Sequence, residues 1–329
     1  MTMHKGYSWI LAAAVLTAAF LPGGARAEYP ERQITLVVPF SAGGPTDIIS
    51  RIVAEPMSRA LGQNIIIENQ VGAGGTVAVT RVKNATPDGY TILMGNLGTQ
   101  AASVGLYPKL AYDPRTDFAP IMNMAGTPMI VAAKKDTPFK DFKEFVAFAK
   151  ANPGKLNYGT GGIGATSHLT CLYLDSLIGS PQTHVPFRGN APALNALLAG
   201  QIDYVCDQTV GIVPSIQGGQ VKGLVVAIPE RLAQVPDMPT SKEQGLPGFQ
   251  AVGWNALFAP KDTPKPVIDK LNAAARAALK DERVLARLKD LAANLPAENE
   301  KTPEWLGEFV KAEVDKWVPV IQKAGVKVE

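Results

Sequence analysis

Pro39-Phe40-Ser41-Ala42-Gly43-Gly44-Pro45-Thr46-Asp47 follows the apolar run Ile34 to Val38 and precedes a helical pattern that reaches Leu61. Gly43 and Gly44 carry no Cβ, so backbone N–H groups there can come close to a bound group. Pro45 or Thr46 can open a helix whose first N–H groups lack intrahelical partners and whose dipole favours an anion. The chemistry is capture of an anion by neutral donors. A strand-to-helix turn also carries Gly and Pro simply to reverse direction, so this loop alone leaves both readings open. Gly159-Thr160-Gly161-Gly162-Ile163-Gly164, with Thr166 and Ser167 at the next helix start, repeats the pattern, and ordinary capping by Thr and Ser is its alternative.

Catalytic and metal chemistry find little support. The chain has three His, of which His4 lies in a leader-like start, and His168 and His184 accompany no nucleophile motif such as G-x-S-x-G. His184 reads as structural. G-x-G-x-x-G does not follow Val38, and C-x-x-C and H-E-x-x-H spacings do not occur. No enzyme activity, metal or cofactor is expected. Of 32 basic side chains, Lys5 and Arg26 lie in the leader, which leaves 30 against 29 acidic ones, a net charge of +1. These charges are spread out, so nucleic acid is not an expected partner.

Residues 1–27 have a basic start, an apolar stretch from Trp9 to Leu21 and the ending Ala25-Arg26-Ala27, the pattern of a secretory signal peptide. The apolar part falls short of the roughly 20 residues of a membrane span. A periplasmic mature protein beginning near Glu28 is expected. In that oxidising compartment Cys171 and Cys206 are predicted to form a disulfide, with two buried free thiols as the alternative.

The positioning elements alternate. Ile34 to Val38, Ile65 to Glu68 and Thr91 to Met94 read as strands, with helices over Thr46 to Leu61 and Gly74 to Asn84; Pro56 should bend the first helix. Each strand runs into a Gly-containing loop, and in a parallel sheet such loops gather at one edge, where ligands of open α/β sheets bind. After Phe118 to Ala125 and Met129 to Ala133, two apolar runs separated by Gly126-Thr127-Pro128, a second series follows. It comprises helix Phe142 to Ala151, strand Leu156 to Tyr158, helix Thr166 to Leu177, strand His184 to Phe187, helix Ala191 to Ala199, strand Tyr204 to Cys206 and the run Val221 to Ala227. Helical patterns Val267 to Leu279, Val284 to Ala293 and Pro303 to Ala324 should return to cover the first unit. Two α/β lobes joined near Gly126-Thr127-Pro128 and Val252-Gly253-Trp254 would enclose a cleft. The expected division is residues 1–27 as leader, 28–126 with 253–329 as lobe one, and 127–252 as lobe two.

In order along the mature chain, the sequence resembles the Bug family of periplasmic solute-binding proteins, the receptors of tripartite tricarboxylate transporters. The resemblance is carried by Tyr29-Pro30, the Pro39 to Asp47 loop, Glu68-Asn69 with Gly72-Ala73-Gly74-Gly75, Pro87-Asp88-Gly89-Tyr90-Thr91, Gly159 to His168, His184 to Gly189 and Gly200-Gln201-Ile202-Asp203. It implies a type II periplasmic binding fold, an α/β Venus flytrap without catalysis, that closes on a small carboxylate and delivers it to membrane permease subunits. A monomer is expected. By position it implies ligand contacts from Phe40, Ser41, Gly43, Gly44, Thr46 and Asp47 in lobe one and from Thr160, Gly161, Thr166, Ser167 and His168 in lobe two. Asn96, Thr99, Asp207 and Gln208 would read the far end of the ligand.

Arg188, where many relatives carry Lys, offers a planar fork for a second carboxylate or an aromatic ring, and equally suits a surface loop. Asp207 reads slightly better as a helix N-cap than as a ligand residue. Cys206-Asp207-Gln208 with Cys171 resembles the branch that includes terephthalate receptors. A sensor that presents the carboxylate to a membrane signalling partner would show the same sequence features.

Overall fold

Ile34, Leu36 and Val38 are fully buried in one core and Val37 in another, so the first strand is covered on both faces. That is the environment of a strand inside a helix-flanked sheet. The computed structural model describes residues 28–323, so the expected leader and residues 324–329 lie outside the described part. The strands are β1 (Ile34–Val38), β2 (Ile65–Asn69), β3 (Thr91–Asn96), β4 (Phe118–Ala133), β5 (Asn157–Thr160), β6 (Thr183–Pro186), β7 (Tyr204–Gln208), β8 (Lys222–Val226) and β9 (Val252–Pro260). The α-helices are α1 (Pro45–Leu61), α2 (Thr76–Lys83), α3 (Ser103–Leu106), α4 (Phe142–Ala151), α5 (Thr166–Ile178), α6 (Asn190–Leu198), α7 (Thr209–Gln217), α8 (Lys265–Ala278), α9 (Glu282–Asp290) and α10 (Pro303–Lys323). Helix α1 runs unbroken through Pro56.

The strands follow the order β2-β1-β3-β9-β4-β7-β5-β6, with β8 also paired to β4. Pairs β1–β2, β1–β3, β5–β6 and β5–β7 are parallel, so the loops after β1, β2 and β3 share one edge as expected. The sheet as a whole is mixed, because β9 runs antiparallel to β3 and β4, and β4 runs antiparallel to β7 and β8.

The largest departure from the sequence reading is β4. The two apolar runs are one strand, and Gly126, Thr127 and Pro128 stay in register with Trp254, Gly253 and Val252 of β9. Pro128 has no N–H, yet it does not break the strand as the local sequence suggests. It sits where β4 leaves its pairing with β9, and Met129 begins the pairing with β7.

Two apolar cores flank the β1–β3–β9 half. Helices α1, α8 and α9 close one through Val53, Met57, Leu271 and Leu288; α10 closes the other through Leu306, Val310 and Val314. The three C-terminal helices therefore return to the first unit as expected. Two more cores flank the β5–β7 half, one under α4 and α5 with Phe142 and Leu174, the other under α6 and α7 with Leu197 and Ile212. The Cys171–Cys206 disulfide ties α5 to β7 inside the third core, with a Cα separation of 5.6 Å.

Candidate functional site

Four helices, α1, α5, α6 and α7, begin where the loops of the two halves meet, and none of them has a side-chain N-cap. Helices α4 and α9 are capped by Asp141 and Asp281, while α2, α3 and α8 also lack a side-chain cap, so what distinguishes the four is that they converge. An uncapped start leaves N–H groups and the positive end of the dipole for another acceptor. The four starts are neighbours. Ser167 Oγ, on the first turn of α5, lies 3.2 Å from Asn190 Oδ1 at the start of α6. Asn190 Nδ2 donates to Asp207 Oδ1, one residue before the Gln208 cap of α7. A Cβ placed on Gly44 would lie 3.9 Å from Asn190 N, which sets α1 against α6. Ser41 Oγ and Thr166 Oγ1 are buried without a hydrogen-bond partner among the described residues.

The remaining expected residues divide by what they already hold. Asp47 is buried, and both of its oxygens are engaged: Oδ2 accepts from Gly43 N at 2.8 Å and Arg51 Nε at 2.8 Å, and Oδ1 accepts from Asn69 Nδ2 at 2.9 Å. Burial would raise its pKa, but these donors and the Arg51 charge outweigh it and hold the carboxyl below the usual range. Asp47 is therefore the brace of the Pro39 to Pro45 loop. Asn96 Nδ2 donates to Thr46 Oγ1 at 3.2 Å and Asn96 Oδ1 accepts from Thr99 N at 3.1 Å, tying the end of β3 to the first turn of α1.

In the other half, Gly161 N donates to Ser167 Oγ at 3.0 Å and Gly164 N donates to His168 Nδ1 at 3.1 Å. His168 stacks on His184 with ring centroids 4.2 Å apart, and His184 Nε2 lies 2.6 Å from Thr160 Oγ1. Burial, joined by the neighbouring His184, pulls the His168 pKa down to about 3, and burial pulls His184 down to about 4. Both rings are neutral and shape the loop. Gln208 Oε1 accepts from Thr127 Oγ1 and from Asn255 Nδ2, so it lies across the β4–β9 crossing.

Asp207 does not cap α7; the cap position is Gln208, whose side chain makes no capping bond to the helix. Asp207 is buried and accepts from Asn190 Nδ2 and Gln208 N through Oδ1, and burial, which outweighs both bonds, pushes its carboxyl up to about 7. Arg188 is exposed and forms no ion pair among the described residues. It lines a cavity of about 270 Å³ together with Phe40, Gly161, Tyr107, Phe187 and the Gly72–Gly75 turn. Thus Phe40, Gly161 and Arg188 border this cavity, while Thr46, Asn96, Thr99, Thr160, Thr166, Ser167, His168, Asp207 and Gln208 are buried and do not line it.

Sequence reasoning missed Asn69, Asn190 and Tyr107. Glu68-Asn69 and the Gly72–Gly75 turn stood among the motifs that carry the family resemblance, which was the available signal for Asn69 and for the cavity wall. Tyr107 had none. Close approach also explains some of the glycines. Gly189 has φ +139°, and a Cβ there would lie 2.0 Å from Ser41 Oγ, so only a bare backbone lets the two halves meet.

The family model described as the tripartite tricarboxylate transporter family receptor matches residues 49–326. MatC from Rhodopseudomonas palustris, solved with bound malate, is 46% identical, with a TM-score of 0.86 over 89% of this chain and 100% of that one. The periplasmic binding protein BugD is 42% identical, with a TM-score of 0.88 over 91% of this chain and 100% of its own. An R. palustris protein solved with adipate is 31% identical, with a TM-score of 0.86 over 92% of this chain and 100% of its own.

Proposed function

The chain belongs to the tripartite tricarboxylate transporter receptor family of periplasmic solute-binding proteins, which are receptors and not enzymes; from that premise we propose that its cleft captures a small dicarboxylate and hands it to the membrane subunits of a tripartite transporter. The observation that carries this reading is the set of four uncapped helix starts around the loops after β1 and β5. Several neutral donors and helix dipoles can share a carboxylate's charge without a buried cation. A second carboxylate fits the rim, where Arg188 offers a bidentate fork. Asp207, whose carboxyl burial raises to about 7 so that a substantial fraction is protonated at neutral pH, can then face an anion without full charge repulsion.

The malate and adipate bound to the two relatives support the class and leave chain length and aromaticity open. In this reading residues 28–126 and 253–329 form one lobe, 127–252 the other, and the protein works as a periplasmic monomer. The test is a thermal-shift and calorimetric panel of malate, succinate, adipate, terephthalate and aspartate. A ligand present at 100 times its Kd stabilises the folded state by about 2.7 kcal/mol. Stabilisation by at least one dicarboxylate, with loss of its uptake when the protein is deleted, is the expected result. No stabilisation by any of the dicarboxylates would remove the ligand class, and unchanged uptake would remove the transport role.

A further inference from the structure

Tyr107 follows α3, and its hydroxyl lies between two backbone carbonyls from opposite halves of the chain: Ala73 O at 2.8 Å and Ile163 O at 3.1 Å. The turn that presents Ala73 is held in an unusual shape. Ala73 has φ +43° although it is not glycine, and Gly74, at φ +61°, lies so close that a Cβ would be 2.1 Å from Ile163 O. The two carbonyls are not equivalent. Ala73 O also accepts from Thr76 N and from Thr76 Oγ1 at 2.9 Å. Ile163 O has Tyr107 as its side-chain donor.

A phenol has one proton, so it serves one of these acceptors at a time. With the halves together it can donate to Ile163 O while Thr76 still serves Ala73 O; with them apart Ile163 O loses this donor, and that lost bond is what favours closure.

We propose that Tyr107 and the Gly72–Gly75 turn form a closure latch on Ile163 that sets how long a captured ligand is held, without choosing which ligand it is. The inference rests on the dicarboxylate-receptor reading only for the identity of the cargo, because the contacts themselves are between protein groups. Burial raises the Tyr107 pKa, so the hydroxyl keeps its proton across the physiological range.

The test compares wild-type protein with Tyr107→Phe, which removes only the hydroxyl, and with Gly74→Ala, which fills the close approach. Stopped-flow dissociation is measured for malate and for adipate. Closed and open populations are measured, with and without malate, from distances between spin labels on Lys155→Cys and Lys280→Cys; Cys171 and Cys206 are already paired and do not take label. Tyr107→Phe should speed dissociation of both ligands by the same factor of about five, the size of one ordinary hydrogen bond, with association unchanged. The closed population should fall in Tyr107→Phe and fall further in Gly74→Ala. Equal closed populations in wild type and Tyr107→Phe, zero included, overturn the latch. A change in the malate-to-adipate affinity ratio also overturns it, because the hydroxyl would then be reading the ligand. If wild-type protein binds neither acid, the dicarboxylate reading fails and the label distances still decide the latch.

Discussion

Replacing Asp47 by Ala should damage the protein more than replacing a residue that merely faces a ligand. Its carboxylate receives three hydrogen bonds, from Gly43 N, Arg51 Nε and Asn69 Nδ2, all between 2.8 and 2.9 Å. The Arg51 side chain is 54% exposed and can return to water, so its share is small. Gly43 N and Asn69 Nδ2 lose a charged acceptor in a half-buried setting, each at about 1.5 kcal/mol, the low end for a charged bond because Asn69 Nδ2 keeps Phe40 O, which gives a loss of about 3 kcal/mol. The assay is urea unfolding at pH 7, with calorimetric titration of the best dicarboxylate on the folded fraction.

Because Asp47's pKa is depressed in the folded state, its ionic contribution is present above the usual Asp value of 3.8 and is lost as pH falls below it. Asp47→Asn keeps the volume and one acceptor. Its deficit at pH 7 should be smaller than that of Ala and should shrink further in acid below pH 4. Wild-type and Asp47→Ala proteins that unfold within 1 kcal/mol of each other at pH 7, or bind ligand equally, would refute the brace.

Three further outcomes are expected. Reducing the Cys171–Cys206 bond, whose residues lie 35 apart, should lower stability by about 4 kcal/mol, read as the shift in urea midpoint between oxidised protein and the double Ser variant; a shift under 1 kcal/mol would contradict it. Gly44→Val should fold yet lose carboxylate binding, since Gly44 has an ordinary φ of −80° while a Cβ there would crowd Ser41 O at 3.3 Å and reach towards Asn190 N at 3.9 Å; unchanged calorimetric affinity in the folded variant would remove this loop from the site. Neutral His168 and His184 contribute stability that is present above about pH 6.5 and is lost as pH falls towards their folded values of about 3 and 4. Asp175 and Asp207, raised to about 7, act in the opposite sense and lose stability as pH rises from about 4 to 7. The wild-type profile should therefore be shallow in that window, and Asp175→Asn should show a steeper loss towards acid; a variant profile as shallow as wild type would be inconsistent with the opposing signs.

The strand-loop-helix rhythm was legible because apolar runs and glycines act locally, and it located β1, β2, β3, α5 and α6 to within a few residues. The continuity of β4 was not legible. Gly126 and Pro128 signal a break, and the force that overrides them is pairing with β9, more than a hundred residues away. The same limit applies at the site. The loops were found from their own composition, whereas the roles of Asp47, Asn190 and Tyr107 depend on partners 17 to 56 residues distant in sequence. An isolated Asn or Tyr has no period to reveal it.

The paired crossing of β4 and β9 also dictates how such a molecule can move. Two extended segments locked to each other by main-chain bonds resist stretching and sideways bending in the ribbon plane, and yield to torsion and to flexing out of that plane. If the halves part about this crossing, as the receptor reading proposes, they would do so as the ends of one stiff ribbon and not as bodies on two slack tethers.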